Sequence, residues 1–486
     1  MSLSHKIAKN SIIQIIGRAL NTIIAFATIA LVMRYLGPSD FGQYTIIVAY
    51  VSFFGILADF GIYMATLQMI SEPNADTKEI FSNAFTLRII FTFFFLLLSA
   101  FACLWFPYGT IVKKGIFVLI WACFFISLSQ LLHGIFQKEL EMTKAEIAAV
   151  IGKILSLLLI IPAIYLKFNL LWILAFLAVG DFAHFLLKFI FARKYIKINF
   201  SFDKEIWKSL FAKSWPIGLS IIFNLIYLRG DTLILSLFAI SSEVGFYGAS
   251  YKVLDVMTTV PIILAGLMMP LFTAAYAKKD FTLLKKYLQY SFDACSILAI
   301  PIIFGTQFIS YPIMVLAGGN DFYPAGKILK ILIIAVSMIF FGTLFSHFVV
   351  AINKQKTMLF GYLATAILSL VGYFTLIPRF SSTGAAAVTL FSEALMAAIS
   401  FMIIHKSTGI TLSLNKFLKA LIAGLMMSLI LYFIRGANML ILIFAGAAVY
   451  GITLYAIGGI DKTMLRQIFK PYAKAPNNKS QIPNKL

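Results

Sequence analysis

Charge is scarce in this chain, and negative charge scarcest. Only 12% of its 486 residues are charged, and Asp plus Glu number 19 against 40 Lys plus Arg. A soluble chain of this length needs more polar surface than that, so a water-exposed globular enzyme is excluded. Cysteine is also sparse. Cys103, Cys123 and Cys295 all lie in apolar runs and read as small packing residues, not as a disulfide or zinc framework. No G-x-x-x-x-G-K-[ST] stretch occurs, so no ATP-powered P-loop is present. There is no D-x-D and no loop long enough for a catalytic domain, which argues against glycosyltransferase, polymerase or ligase chemistry. His133, His184 and His347 are too scattered for a metal centre, and no cofactor is expected.

Apolar residues fill the gap. They make up 61% of the chain, and lipid is the solvent that can accept them. Fourteen runs of about 20 or more apolar residues fall between residues 11 and 457, punctuated by Gly37-Pro38, Pro107 and Pro378. The basic start Met1–Asn10 leads into a long apolar segment with no Ala-x-Ala site, which reads as an uncleaved first span. The net charge of +21 follows the spans. With the N-terminus inside, 29 Lys and Arg fall on the inner side, 8 on the outer side, and Arg18, Arg229 and Lys252 within spans. Positive charge kept inside predicts cytoplasmic N- and C-termini. The charge is a membrane-orientation signal, and nucleic acid is not an expected partner. A polybasic inner face would instead attract anionic membrane lipids.

A repeat divides the runs. Ser39–Tyr44 (SDFGQY) is echoed by Ser242–Tyr247 (SEVGFY) at an offset of 203, which also pairs Asn21 with Asn224 and Thr28 with Asp231. ILSL at Ile154–Leu157 returns at Ile367–Leu370, and Lys167-Phe168 and Asp181 match Arg379-Phe380 and Glu393 at an offset of 212. The expected fold is an all-α polytopic membrane protein with two pseudo-symmetric six-helix lobes, residues 1–200 and 201–410. An extra helix pair follows at 411–460, then a cytoplasmic tail at 461–486. Between the lobes, Arg193–Pro216 holds an amphipathic segment after a candidate cap at Asp203. Ile206, Trp207, Leu210 and Phe211 share one face, with Lys204 and Lys208 opposite.

Polar residues inside the spans mark the candidate site. Gln14, Arg18, Asn21, Ala25 and Thr28 form one stripe, and Ser220, Asn224, Tyr227 and Asp231 another. Tyr247, Tyr251 and Asp255 follow the same spacing, with Lys252 adjacent. A polar stripe facing acyl chains is costly, so these face a cavity or a neighbouring helix. The candidate substrate-binding residues are Arg18, Asn21, Arg88, Asn224, Arg229, Tyr251 and Lys252. Arginine suits phosphate because its planar fork makes paired, charge-assisted hydrogen bonds. Two readings stand side by side for the cations: contact with an anionic group, or neutralisation of nearby carboxylates. For Lys252 and Asp255 an i,i+3 pair is one account, and Arg88 either contacts substrate or snorkels to the inner interface. Asp59, Asp231, Asp255, Asp293 and Glu393 are the candidates for ion coupling or a charge network. Asp59 stands out, since Val48–Gln68 around it is otherwise uncharged.

Met33–Ile62 (MRYLGPSDFGQYTIIVAYVSFFGILADFGI) resembles the opening of polysaccharide exporters. So do Trp215–Val253, with an Asp in mid-helix followed by G-x-Y and a Tyr-Lys pair, and Ile377–Ala386 (IPRFSSTGAA). The chain is similar over nearly its whole length to the Wzx-type O-antigen and lipid-linked oligosaccharide flippases. These form part of the multidrug/oligosaccharidyl-lipid/polysaccharide exporter superfamily. The resemblance implies a MATE-like bilobed, non-enzymatic transporter with a cationic lumen in the bacterial inner membrane. It would flip undecaprenyl-pyrophosphate-linked sugar units to the periplasmic leaflet by alternating access, with ion coupling. Its implied partner would be a polysaccharide polymerase or chain-length complex. In that pattern Arg18 matches the span-1 lumen arginine and Asp231 the acid of the seventh span. A cation-coupled multidrug antiporter of the same superfamily is the alternative, although it would favour acidic cavity walls.

Overall fold

The structure, a computed structural model, describes residues 3–72 and 75–460, with side chains from residue 13 onward except those of 15 and 18. The expected tail at 461–486 lies outside the described residues. The described residues form helices and connecting turns, with no strand. In order they are α1 (Leu3–Asp59), α2 (Ile62–Ile70), α3 (Thr77–Trp105), α4 (Thr110–Lys138), α5 (Met142–Tyr165), α6 (Leu170–Ala192) and α7 (Lys204–Phe238). Then come α8 (Ser241–Ala277), α9 (Phe281–Gly318), α10 (Ala325–Ala351), α11 (Gln355–Thr408), α12 (Asn415–Phe433) and α13 (Met439–Ala456). Helices satisfy their own backbone groups, which is what lipid demands.

Among the described residues, twelve helical segments are long and apolar enough to cross a membrane. Two of them are double. Gly37 (φ 69°, ψ 175°) interrupts α1, and Ser381 (φ 50°, ψ −132°) interrupts α11. Counting the halves separately gives the fourteen spans expected from hydropathy. At the first break glycine takes the positive φ that other residues resist, and Pro38 then opens the next helix with its fixed φ. The second break is held from outside, because the Ser381 and Ser382 hydroxyls donate to the Glu243 carboxylate on α8.

Some spans turn polar side chains inward and apolar ones outward. On α3, Phe94, Leu97, Leu98, Phe101 and Leu104 share an exposed face, while Thr92 and Ser99 are buried. The Thr92 and Ser127 hydroxyls meet at 2.8 Å. This inverted pattern is the one expected when hydrocarbon, not water, lies outside.

The chain divides into two compact units. The larger comprises residues 1–291 and 310–411. Within it α4, α5 and α6 pack together and against α1, while α10 packs on α8 and α11, and α11 on α7. The two sets meet where α1 lies along α8 and α7. The smaller unit comprises residues 292–309 and, of the described residues, 412–460. There α12 and α13 enclose the middle of α9, with Ile300, Ala423, Met427 and Leu454 in the core. Asp293 pairs with Lys416 at 3.7 Å.

The echoed hexapeptides touch each other. A Cβ on Gly42 would lie 1.7 Å from the Ser241 carbonyl oxygen, and one on Gly245 would lie 2.2 Å from the Pro38 carbonyl oxygen. Residues 42 and 245, like 38 and 241, differ by the repeat offset, so one contact is made twice in reciprocal form. Only glycine admits so close an approach of two backbones.

The amphipathic segment is the first part of α7 and is continuous with the span after it, with Pro216 accommodated inside the helix. Asp203 caps it by accepting from the backbone N–H groups of Glu205 (2.8 Å) and Ile206 (3.0 Å). Leu210 is fully buried, and Ile206 and Trp207 pack on the core formed by α2, α3 and α4. Lys204 and Lys208 are exposed.

Candidate functional site

A cavity of about 570 Å³ opens within the larger unit, lined by α1, α4, α5, α6, α7 and α8. It shares Tyr44, Lys153, Leu177, Lys252 and Asp255 with an adjoining space of about 340 Å³ along α1. Three cations line it, Lys153 on α5, Arg229 on α7 and Lys252 on α8. Three carboxylates answer them, Asp59, Asp181 and Asp255.

Asp59 explains itself through a break in the helix. α1 ends there, Phe60 (φ 41°) and Gly61 (φ 77°) turn the chain, and α2 resumes the span. A carboxylate at a helix C-terminus opposes the macrodipole, so a cation is required. Arg88 supplies it from α3. Its guanidinium donates to the Asp59 carboxylate, to the Ala58 carbonyl oxygen (3.5 Å) and to Gln130 Oε1 (3.2 Å). Arg88 is fully buried and does not line the cavity, whereas Asp59 and Gln130 do. Arg88 therefore holds the broken span together behind the cavity wall.

Arg229, Tyr251, Lys252 and Asp255 come together on the opposite wall. Asp255 forms an ion pair with Arg229 at 3.5 Å through one oxygen and with Lys252 at 3.8 Å through the other. The Arg229 guanidinium lies 5.3 Å above the Tyr251 ring, and the Tyr251 hydroxyl donates to the Leu228 carbonyl oxygen at 3.2 Å. A cation over an aromatic face is attracted by the ring quadrupole.

The remaining candidates lie elsewhere. The Arg18 side chain lies outside the described residues. The Asn21 amide donates to Glu146 at 3.3 Å, turned toward α5. Asn224 donates to the Tyr227 hydroxyl at 2.8 Å, within α7. Asp293 belongs to the smaller unit. Asp231 is completely buried beside α8 and α11. It accepts from the Thr232 N–H and hydroxyl, the Tyr247 hydroxyl (2.5 Å) and the Thr389 hydroxyl (3.3 Å). Glu393 is also buried, and its Oε1 has no hydrogen-bond partner among the described residues.

Sequence reasoning missed Lys153 as a cavity residue. The inner-side total of 29 includes Arg88, Lys153 and Lys188, but these three lie inside helices α3, α5 and α6, respectively. Lys153 and Ser156 sit on one face of α5 in the run from Glu146, and that spacing was the available signal. Lys153 donates to Asp181 at 3.2 Å. Lys188, deeper in α6, donates to the Ser129 carbonyl oxygen at 3.3 Å, while His184 meets the Ser129 hydroxyl at 3.3 Å.

Comparison with known proteins agrees with this architecture. A Shigella flexneri protein whose name assigns it to O-antigen transport is 24% identical over 404 residues, covering 78% of this chain and 93% of that protein. The solved structure of the lipid II flippase MurJ in an inward closed conformation superposes with a TM-score of 0.78 at 15% identity, over 92% of this chain and 98% of that one. An inward-facing multidrug resistance MATE family transporter of the MOP superfamily superposes with a TM-score of 0.67 at 16% identity, over 82% of this chain and 98% of that one. At such identities the likeness concerns the fold, which is MurJ- and MATE-like. The family model described as polysaccharide biosynthesis protein matches residues 7–275, more than half of the chain, and the protein therefore belongs to that family.

Proposed function

We propose that this protein is a flippase for polyprenyl-pyrophosphate-linked oligosaccharides in the bacterial inner membrane. It moves the headgroup from the cytoplasmic to the periplasmic leaflet while the polyprenyl tail stays in lipid. The observation that carries the reading is the set of cations, Lys153, Arg229 and Lys252, in a cavity of a chain from the polysaccharide biosynthesis family. A diphosphate crossing hydrocarbon needs charge-assisted donors along its path, and these residues supply them.

The proposed halves are residues 1–200 and 201–410, rocking about the reciprocal contact at Gly42 and Gly245, with residues 411–460 as an added pair and both termini cytoplasmic. Asp231 and Glu393, buried without a salt-bridge partner among the described residues, are the proposed place of ion coupling. A polymerase or chain-length complex would receive the product. A multidrug antiporter on the same fold would use Asp181 and Asp255 for a cationic drug, but the family match favours the glycan.

The test is export of surface glycan in a deletion strain complemented with Arg229→Ala plus Lys252→Ala. We expect loss of surface glycan at normal protein level, with unchanged drug susceptibility. Normal export by the double variant would remove the diphosphate reading.

A further inference from the structure

Three carboxylates line the cavity, and they are not held alike. Asp59 has a side chain only 9% exposed, and Arg88 clamps it. Asp181 is 12% exposed and accepts a hydrogen bond from Lys153. Asp255 is 37% exposed, and among the described residues only the two long ion pairs to Arg229 and Lys252 hold its carboxylate. Its backbone carbonyl is occupied by Thr258 and Thr259, but its side chain makes no hydrogen bond within 3.5 Å.

The arginine beside it is held independently. Tyr251 lies under Arg229, and its hydroxyl is tied to the α7 backbone. Removing the Asp255 carboxylate therefore leaves the guanidinium aimed into the cavity. The site is preorganised for an anion, with one carboxylate oxygen presented to each cation.

We propose that Asp255 is a resident counter-anion that an incoming diphosphate displaces, and that it sets the charge an anion must carry to enter. This rests on reading the cavity as a diphosphate site. A part-exposed ion pair at these distances is weak. A diphosphate brings more charge and several acceptors, and the guanidinium fork can engage two of them. An orthophosphate or a simple monoanion gains less and competes poorly with a carboxylate already in place. Asp255 thus acts by negative selection, rejecting the small anions of the cytoplasm from the paired cations Arg229 and Lys252.

The experiment measures binding of pyrophosphate and of orthophosphate to the full-length protein in lipid nanodiscs by titration calorimetry. With Asp255→Asn, pyrophosphate affinity is expected to rise five- to tenfold, about 1.0–1.4 kcal/mol. Orthophosphate affinity is expected to rise more, so that the preference between them shrinks. Asp255→Ser also removes the carboxylate and is expected to behave alike, which keeps the test open if one variant is poorly folded. Unchanged or weaker binding of both anions in a folded variant overturns the proposal. Arg229→Ala separates the two levels. If it weakens pyrophosphate binding while Asp255→Asn changes nothing, displacement alone is wrong. If neither variant alters binding, the diphosphate site itself is wrong.

Discussion

The two sets of helices that face each other in the larger unit treat buried carboxylates in opposite ways. In α1–α6 each acid at the cavity has a cation, with Arg88 on Asp59 and Lys153 on Asp181. In α7–α11 Asp231 has only hydroxyl and backbone donors, and Glu393 has an oxygen with no hydrogen-bond partner among the described residues. The repeat makes this comparison direct, because Asp181 matches Glu393. The partner of Asp181 has no counterpart, since offsets of 212 and 213 carry Lys153 onto Thr365 and Ala366. One side has settled its charges internally. The other pairs Asp255 with Arg229 and Lys252 but leaves Asp231 and Glu393 without a cation among the described residues.

Substitutions can break this contrast. The largest effect is expected at Arg88. Arg88→Met strands Asp59 at a buried helix end and should lower stability by about 3–5 kcal/mol, read from thermal unfolding in detergent. The double variant with Asp59→Asn should recover most of that loss; equal instability of the double variant would mean that the arginine acts through packing alone. Lys153→Met should cost less, about 1–2 kcal/mol, because its partner borders the cavity and water can reach it. Asp231→Asn should cost about 1 kcal/mol, since the hydroxyl donors keep an acceptor. It should nonetheless abolish ion-dependent transport in vesicles, and a fully active Asp231→Asn protein would dissolve the contrast. Glu393→Gln is expected to be smallest, within about 0.5 kcal/mol, as a neutral amide replaces an acid with an unpaired oxygen.

Much of the fold was legible before any coordinates, and the reason is physical. Spans declare themselves by length and hydropathy, and the breaks at Gly37 and Ser381 only conceal two of them inside longer helices. The Asp203 cap and the buried face of Ile206, Trp207 and Leu210 follow from local spacing. The site was less legible. Counting positive charge by side ignores depth, so Lys153 was placed with the inner loops although its amine reaches the cavity. The partner of Asp59 was hidden because Arg88 looked like an interfacial residue near the inner end of its span. The turn at Phe60–Gly61 was written in the sequence as Asp-Phe-Gly, but within so apolar a run it read as continuous helix. Pairings across helices depend on tertiary packing, and no one-dimensional periodicity carries them.

The mutual seating of Gly42 on Ser241 and Gly245 on Pro38 has the form of a two-fold association, completed within a single polypeptide. Identical subunits joined this way inherit every mutation in duplicate: a lysine gained beside one aspartate appears beside its twin as well. A tandem gene is released from that bond. Each copy can drift alone, one toward a self-neutralised scaffold and the other toward an unfilled ionic seat, while the shared seam keeps them in register.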